Sequence, residues 1–408
     1  MTSIVIIGAG ECGGRAALSL RDRGFDGAIT LVGAEDHPPY ERPPLSKDGI
    51  VAGADPRFIA NLGDYADKSI ELRLGASATR LDRVNRAVEL DSGERLPYAK
   101  LLLATGARAR GLPGDQAECP RVLSLRTHAD ALHIREHLTH DSRLAILGGG
   151  FIGLELAASA RRLGAYVVLL EGLPRILSRG VPAEIAAAVA ARHEAEGVDI
   201  VCNARVETLC ASDEDIRLTL SDGRVIEADM LVVGIGSLPN VELAAEAGLA
   251  IDNGIAVDRH LQTSDPNIWA AGDCCSFPLA HYGGRRVRLE SWRSAQEHAL
   301  IAAANLVGAS ETIAAVPWFW SDQFDLTLQV AGLSTGGTRS VRRDLGNGAF
   351  IIFEMNDVGL LLSASGIGPG NAVARDIRLA EMLIASGRSV DPAALASPDI
   401  RLKALLAA

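Results

Sequence analysis

Two glycine-rich fingerprints set the strongest limit on how this chain can fold. The first, GAGECG, begins at Gly8, and the second, GGGFIG, begins at Gly148. Each follows an apolar, strand-like run and precedes an Ala-rich helical stretch. A strand, a glycine turn and a helix in this order form the phosphate-binding start of a dinucleotide fold. The sequence therefore predicts two separate dinucleotide-binding folds.

Each glycine of such a fingerprint has its own task. The first permits the tight turn from strand to helix, the second lets the backbone approach a pyrophosphate, and the third allows close packing of helix on sheet. The following helix presents its N-terminal amides to the phosphates. The glycines predicted to bind cofactor are Gly8, Gly10 and Gly13 in the first fingerprint and Gly148, Gly150 and Gly153 in the second.

An acidic residue follows each fingerprint at the distance expected for a ribose ligand. Glu35 lies 22 residues beyond Gly13, and Glu171 lies 18 residues beyond Gly153. A carboxylate there accepts hydrogen bonds from ribose hydroxyls and, in a nicotinamide site, repels a 2′-phosphate. The stretch after Glu171 contains one arginine, Arg175, and no basic cluster. The second site is therefore predicted to bind NADH rather than NADPH.

The second fold is predicted to lie within the first. After Gly236 the chain passes through a strand-like stretch and reaches NIWAAGDCCSF at 267–277. There Asp273 is expected to precede a helix and to hydrogen-bond a flavin ribityl chain. Because the first fold is interrupted and completed by this segment, it is assigned to FAD, and the compact second fold is assigned to NADH.

From about residue 318 the pattern changes to short strand-like runs with polar turns, followed by helical stretches near 370–386 and 392–407. The predicted fold class is α/β, with two Rossmann-like dinucleotide-binding domains, the second inserted in the first, and a C-terminal α+β domain with an antiparallel sheet. The predicted domains are FAD-binding at 1–109 and 236–317, NAD(H)-binding at 110–235, and C-terminal at 318–408.

Composition narrows the class of protein. The net charge of −11 over 408 residues argues against a nucleic-acid binder, which needs a basic surface. No apolar run is long enough for a transmembrane helix, and no leader precedes the first strand, so a soluble cytoplasmic protein is expected. The cysteines show no metal-ligand spacing and are interpreted as buried or incidental thiols; they are Cys12, Cys119, Cys202, Cys210, Cys274 and Cys275.

Longer strings add a resemblance that covers essentially the whole chain. PPYERPPLSK at 38–47, LLLATGAR at 101–108, FIGLE at 151–155 and PWFWSDQFDLTLQ at 317–329 occur in this order, with AAGD and ESW between the last two. Together they resemble the single-chain, FAD-containing, NADH-dependent ferredoxin reductases of bacterial aromatic-ring dioxygenases and haem monooxygenases, the family of putidaredoxin and rhodocoxin reductases.

The resemblance implies roles for particular residues. Lys47 would lie beside the reactive edge of the flavin and pair with Glu155, because a buried ammonium needs a carboxylate partner. Trp320 would lie against the flavin, opposite the nicotinamide, and Arg42 and Pro43 would contact FAD. The remaining cofactor-binding residues implied by these motifs are Ala104, Thr105, Gly106, Arg108, Phe151, Ile152, Gly236 and Trp292.

Residues 36–50 contain no cysteine, so no redox disulfide can relay electrons there. The expected cycle takes a hydride from NADH to FAD and then single electrons to a [2Fe–2S] ferredoxin. One or both of two cationic runs, 285–288 and 339–343, are hypothesised to face that ferredoxin. No metal site is expected, and the protein would be a monomer or homodimer.

Two other functions remain open from the sequence. One is an NADH oxidase or another flavin reductase that reduces oxygen or a small molecule. The other is a redox-sensing, NADH-binding interaction protein similar to apoptosis-inducing factor. Turnover with and without ferredoxin separates the three functions.

Overall fold

A computed structural model describes residues 3–112, 119–212 and 215–407 of the chain. The helices are α1 Glu11–Asp22, α2 Asp48–Val51, α3 Leu62–Asp67, α4 His128–His137, α5 Phe151–Arg162, α6 Ala183–Ala195, α7 Glu242–Glu246, α8 Trp292–Leu306, α9 Ala374–Ser386, α10 Pro392–Ala396 and α11 Leu402–Leu405. Short 3₁₀ turns occupy Pro43–Ser46, Gly272–Cys274 and Ala280–Tyr282.

The strands of the first half are β1 Ser3–Ile7, β2 Ala28–Val32, β3 Ile70–Arg73, β4 Ala78–Asp82, β5 Ala87–Leu90, β6 Arg95–Pro97, β7 Lys100–Leu103, β8 Ala107–Ala109, β9 Val122–Leu123, β10 Arg143–Leu147, β11 Tyr166–Glu171 and β12 Val198–Cys202. The remaining strands are β13 Val206–Ala211, β14 Ile216–Leu220, β15 Val225–Ala228, β16 Met230–Val233, β17 Ser237–Pro239, β18 Ile255–Ala256, β19 Ile268–Ala270, β20 Cys275–Leu279, β21 Arg285–Val287, β22 Trp318–Gln323, β23 Leu326–Gly332, β24 Arg339–Gly346, β25 Ala349–Met355 and β26 Leu361–Pro369.

The described residues form two compact units. The first unit takes in the described parts of Met1–Arg42, Pro56–Arg108 and Leu238–Ala315. The second takes in those of Pro43–Asp55, Ala109–Ser237 and Val316–Ala408.

The first unit is built on a parallel sheet in the order β19-β7-β1-β2-β3. Its central strand β1 is a continuous apolar run with Ile4–Ile7 buried, as expected where helices cover both faces of a sheet. Helix α1 lies against α8. Two small sheets, β4-β5-β6 and β18-β20-β21, complete the unit.

The second unit repeats this construction with the parallel order β12-β11-β10-β16-β9. An antiparallel meander, β13-β14-β15, buries Ile216, Leu218 and Leu220 in the same core as Ala145 of β10. The unit also contains an antiparallel sheet, β22-β23-β26-β25-β24, on which α9 packs through Ile377. The predicted fold class is confirmed.

Two local expectations from the sequence were wrong. Asp273 is followed by strand β20 rather than by a helix, because Cys275–Leu279 pairs with β18 on one side and β21 on the other. The helical stretch expected over 392–407 is broken after Ala396, where Pro398 cannot continue a helix, and resumes as α11. Within the ranges that the structure describes, no helix is long and apolar enough to cross a membrane.

Candidate functional site

Two glycines of the first fingerprint are required by the protein's own packing. Gly8 has φ +112°, and a Cβ there would lie 2.1 Å from the Ala104 carbonyl oxygen. A Cβ on Gly13 would lie 1.9 Å from the Gly8 carbonyl oxygen. Any side chain at either position would separate helix α1 from the sheet.

Gly10 differs, because a Cβ built on it meets no atom of the described residues within 4 Å, its own neighbours along the chain aside. It stands at the N-cap of α1, where unpaired amides and the helix dipole favour an anion. The packing of the described residues therefore does not explain the glycine, whereas the close approach of a pyrophosphate does. The first site thus fits a dinucleotide.

The second fingerprint has the same three geometries. Gly148 has φ +116° and would place a Cβ 2.3 Å from the Gly234 carbonyl oxygen. A Cβ on Gly153 would lie 2.2 Å from the Gly148 carbonyl oxygen, and a Cβ on Gly150 would meet nothing within 4 Å. Ile152, the second residue of α5, is 48% exposed. This junction fits a second dinucleotide.

Glu35 lies three residues after the end of strand β2 and is held by two neighbours. One carboxylate oxygen accepts a hydrogen bond from the Tyr40 hydroxyl, and the other pairs with the Arg42 guanidinium at 2.7 Å. Arg42 also lies over the Tyr40 ring at 5.2 Å. A carboxylate has about four lone-pair positions, so Glu35 keeps capacity for ribose hydroxyls.

Glu171, the last residue of β11, is fixed by the backbone of its own loops. One carboxylate oxygen accepts the Gly149 amide and the other accepts the Leu173 amide, both at 2.8 Å. The carboxylate therefore has a set orientation at the phosphate-binding loop, where the ribose of a dinucleotide is expected.

Arg175 is committed to the loop that follows β11. Its guanidinium donates to the carbonyls of Ile176 and Leu177 at 3.3 Å each, and to those of Ser178 and Val181 at 3.4 and 3.0 Å. The guanidinium of Arg175, the arginine nearest to Glu171 in the sequence, is thus occupied by hydrogen bonds to the backbone of its own loop. This favours recognition of a free 2′-hydroxyl over a 2′-phosphate.

The Ala104-Thr105-Gly106 turn is held by Asn240, which sequence reasoning missed. The Asn240 backbone N–H donates to the Gly106 carbonyl at 3.0 Å, and its side-chain NH₂ donates to the Thr105 carbonyl at 2.8 Å. The Asn240 backbone carbonyl accepts a hydrogen bond from the Thr105 hydroxyl at 2.7 Å. Arg108 donates to the Asn240 side-chain oxygen at 2.9 Å and pairs with Glu242. The only signal for this role was the Asn of the string SLPN.

Asp273 lies in the Gly272–Cys274 turn, whose Gly272 amide donates to His298 Nδ1 of α8 at 3.2 Å. Burial lowers the pKa of His298 to about 4, so the ring is a neutral acceptor at physiological pH. At the start of α8, Trp292 packs under the Arg15 guanidinium at 5.9 Å. Asp273 and Trp292 thus belong to the described part of the first unit, together with the first fingerprint.

In the second unit, Lys47 and Glu155 form the expected ion pair, with Nζ 3.0 Å from Oε1. Glu155 is 5% exposed and accepts two further hydrogen bonds, one from Ser46 and one at 2.6 Å from Ser321. A buried carboxylate is tolerated only with such partners. The Lys47 ammonium also lies 3.5 Å from the Pro43 carbonyl oxygen.

Trp320 belongs to the same cluster. Its ring centroid is 6.0 Å from Lys47 Nζ and 5.5 Å from that of Trp318, and its indole N–H donates to Asp322 at 2.9 Å. Phe151 of α5 contacts Phe319 edge-on at 4.9 Å. Gly236 has φ +117°, and in the part of the chain that the structure describes a Cβ added there would meet nothing within 4 Å beyond its own chain neighbours.

The hypothesis that one or both arginine runs face the ferredoxin stays a prediction, but the second run does not present all three of its arginines at the surface. Arg343 is 3% exposed and donates to the carbonyls of Leu395, Ser397 and Ile400 at 3.1, 2.6 and 2.8 Å. In the first run, Arg286 donates to two backbone carbonyls at 2.9 and 2.6 Å. Arg285 and Arg286 are both exposed, so the first run stays a candidate for the docking surface.

The cysteines are free thiols. Burial raises the pKa of Cys12, Cys274 and Cys275, which makes them poor nucleophiles. Among the described residues, no group of three or more His, Cys, Asp or Glu side chains could hold a metal ion.

Comparison with known proteins decides the family. Residues 2–299 match the model of the pyridine nucleotide-disulphide oxidoreductases, and residues 318–406 match that of the reductase C-terminal domain. The chain belongs to the pyridine nucleotide-disulphide oxidoreductase family. The resemblance inferred from its motifs is confirmed, and the chain is an NADH-dependent FAD oxidoreductase.

Individual relatives cover the chain almost from end to end. It is 42% identical to the ferredoxin–NAD(+) reductase component of the anthranilate 1,2-dioxygenase system of Burkholderia cepacia, over 98% of each chain. It is 41% identical to rhodocoxin reductase of Rhodococcus erythropolis, over 99% of this chain and 94% of that one. The reductase in the crystal structure of the covalent putidaredoxin reductase–putidaredoxin complex is 35% identical, with a TM-score of 0.93 over 100% of this chain and 98% of that chain.

Proposed function

We propose that this chain transfers electrons from NADH to a [2Fe–2S] ferredoxin that feeds an oxygenase. The observation that carries the proposal is the Lys47–Glu155 pair, because Lys47 lies within residues 36–50, where a thiol relay would need a cysteine and none is present. The relatives named as ferredoxin reductases support the same acceptor. Bound FAD supplies the conversion of a two-electron hydride donor into a one-electron donor.

In the first unit, Gly10 and the N-terminal amides of α1 would hold the FAD pyrophosphate, and Glu35 would accept its ribose hydroxyls. Arg42 would keep Glu35 oriented through their 2.7 Å ion pair. Asp273 would accept hydroxyls of the ribityl chain.

In the second unit, Gly150 and the amides of α5 would hold the NADH pyrophosphate, and exposed Ile152 would cover part of the cofactor. Glu171 would accept the 2′-hydroxyl and repel a 2′-phosphate. Its two backbone hydrogen bonds fix it before NADH arrives, which lowers the entropy cost of binding.

Lys47 would stabilise the negative charge that the flavin gains on reduction, and Glu155 would hold the ammonium in place. An ammonium in a water-poor site interacts with developing charge far more strongly than one in water. The raised pKa values of the buried thiols support direct electron transfer without a cysteine intermediate. Free thiols are also typical of a reducing compartment, so we place the protein in the cytoplasm.

Replacement of Lys47 by glutamine tests this role. We expect Lys47→Gln to bind FAD but to be reduced by NADH at least about tenfold more slowly, because a preorganised charge is lost. Lys68→Gln is the matched control, since Lys68 pairs with the exposed Asp22 in the first unit. Stopped-flow absorbance of the flavin gives the rate, and an unchanged rate in Lys47→Gln would remove the proposed role.

A further inference from the structure

A chain of buried polar side chains ends on Glu155. It starts at His193 of α6 and continues through Gln323 and Ser321 of β22, with all four residues in the second unit. His193 Nε2 lies 2.9 Å from Gln323 Oε1, Gln323 Nε2 lies 3.0 Å from Ser321 Oγ, and Ser321 Oγ lies 2.6 Å from Glu155 Oε1. The exposed fractions are 0%, 4%, 1% and 5% from His193 to Glu155.

The number of protons that each group can donate fixes which group is the donor in every hydrogen bond of this chain. An ionised carboxylate only accepts, so the single Ser321 proton is donated to Glu155. Ser321 must then accept from Gln323, which places the amide NH₂ toward Ser321 and the amide oxygen toward His193. His193 therefore carries its proton on Nε2 and donates to Gln323.

The neutral form of His193 agrees with this order. Burial lowers the pKa of His193 to about 4, so at neutral pH the ring has one N–H, on Nε2. Nδ1 is buried and has no hydrogen-bond partner among the described residues. Each donor in the chain points toward Glu155, and hydrogen bonds aligned in this way polarise one another.

We propose that Ser321, Gln323 and His193 are positioning residues that hold the Glu155 carboxylate in the orientation that places the Lys47 ammonium. This inference rests on the proposed role of Lys47 at the flavin. Glu155 Oε1 is shared by Lys47 and Ser321, so loss of the Ser321 donor leaves this oxygen held by Lys47 alone, with Ser46 still bonded to the other oxygen, and the carboxylate is oriented less firmly. Lys47 would then lose its fixed position while its charge is unchanged.

A double-mutant cycle separates this role from simple packing. Ser321→Ala should slow flavin reduction by NADH about fivefold, with KM for NADH unchanged within about twofold. In a Lys47→Gln background the same change should cost less than about 1.5-fold, because the group that it positions is gone. Ser363→Ala is the matched control, since Ser363 is 1% exposed, lies in the same sheet on β26 and takes no part in the hydrogen-bond chain from His193 to Glu155.

Gln323→Met provides a second variant of similar size, with the same expected pattern. An equal loss of flavin-reduction rate in the wild-type and Lys47→Gln backgrounds would show that these residues act only through packing and would overturn the inference. A wild-type rate in Ser321→Ala or Gln323→Met would overturn it as well. A normal rate in Lys47→Gln alone would instead overturn the proposed function of Lys47, and the inference with it.

Nitrogen-15 NMR of the histidine rings tests the hydrogen-bond chain without turnover. The protein has nine histidines, and a His193→Gln variant assigns the signal of His193. We expect a neutral ring protonated on Nε2 between about pH 6 and 8. A ring protonated on Nδ1, or a charged ring in this range, would overturn the proton order and the inference.

Discussion

The candidate site depends on a few side chains whose partners are mostly backbone or other buried groups. Glu171 is oriented by two amides, and Arg175 is committed to four carbonyls of its loop. Neither arrangement needs a bound cofactor, so the preference for NADH is built into the protein's own loops. Preorganisation of this kind affects binding more than the chemical step.

Replacement of Glu171 should therefore weaken NADH binding without creating NADPH activity. We expect Glu171→Gln to raise KM for NADH about tenfold at nearly unchanged kcat, because a charged acceptor is lost. NADPH should stay a poor donor, since Arg175 remains bound to its loop carbonyls. Steady-state kinetics with both donors measures this, with Glu184→Gln as an exposed control. Efficient NADPH oxidation by Glu171→Gln would contradict the account of Arg175.

At the scale of elements, the strand–turn–helix units could be predicted because their signal is local. Glycine spacing, an apolar strand and an Ala-rich helix identify each unit without tertiary information. The sequence analysis did not identify the β13-β14-β15 meander or strand β24. Strand β24 reads RSVRRDLG, and Arg343 faces inward only because carbonyls from the α10–α11 segment surround it. Such partners are distant in sequence and leave no local pattern.

The second and third glycines of the first fingerprint, Gly10 and Gly13, should respond differently to replacement by alanine. Gly13→Ala should destabilise the apoprotein by about 3 kcal/mol, because its Cβ meets a backbone oxygen at 1.9 Å. Gly10→Ala should leave the apoprotein's melting temperature unchanged but weaken FAD binding at least about tenfold, since its Cβ meets only open space. Thermal unfolding and FAD titration of both apoproteins measure this. Similar melting temperatures with similar FAD affinities would contradict the assignment.

Arg343 gives a prediction on how the C-terminal elements are held to their sheet. Arg343→Leu leaves four carbonyls without their donor and should lower the unfolding free energy by about 3 kcal/mol. Arg339→Leu, at an exposed position of the same strand, should change it by less than about 0.5 kcal/mol. Urea unfolding measures both. Equal effects would show that Arg343 does not anchor the α10–α11 segment.

At the scale of the whole molecule, the net charge of −11 limits how a ferredoxin can dock. Ferredoxins are usually acidic, so attraction between net charges cannot drive their association with this chain. Of the two arginine runs read from the sequence, the second does not present all its arginines, since Arg343 is buried, whereas Arg285 and Arg286 of the first are exposed. Docking must therefore depend on a local surface, and the exposed first run stays a candidate for it.

The central claim is that the two fingerprints hold FAD and NADH and that the electrons leave to a ferredoxin. Anaerobic titration of the purified flavoprotein, followed by addition of a [2Fe–2S] ferredoxin, tests it most directly. The account predicts that one equivalent of NADH bleaches the flavin absorbance, that NADPH does so far more slowly, and that added ferredoxin restores the oxidised spectrum as it is reduced. Absence of bound flavin, or rapid reoxidation by oxygen alone with no transfer to ferredoxin, would contradict it.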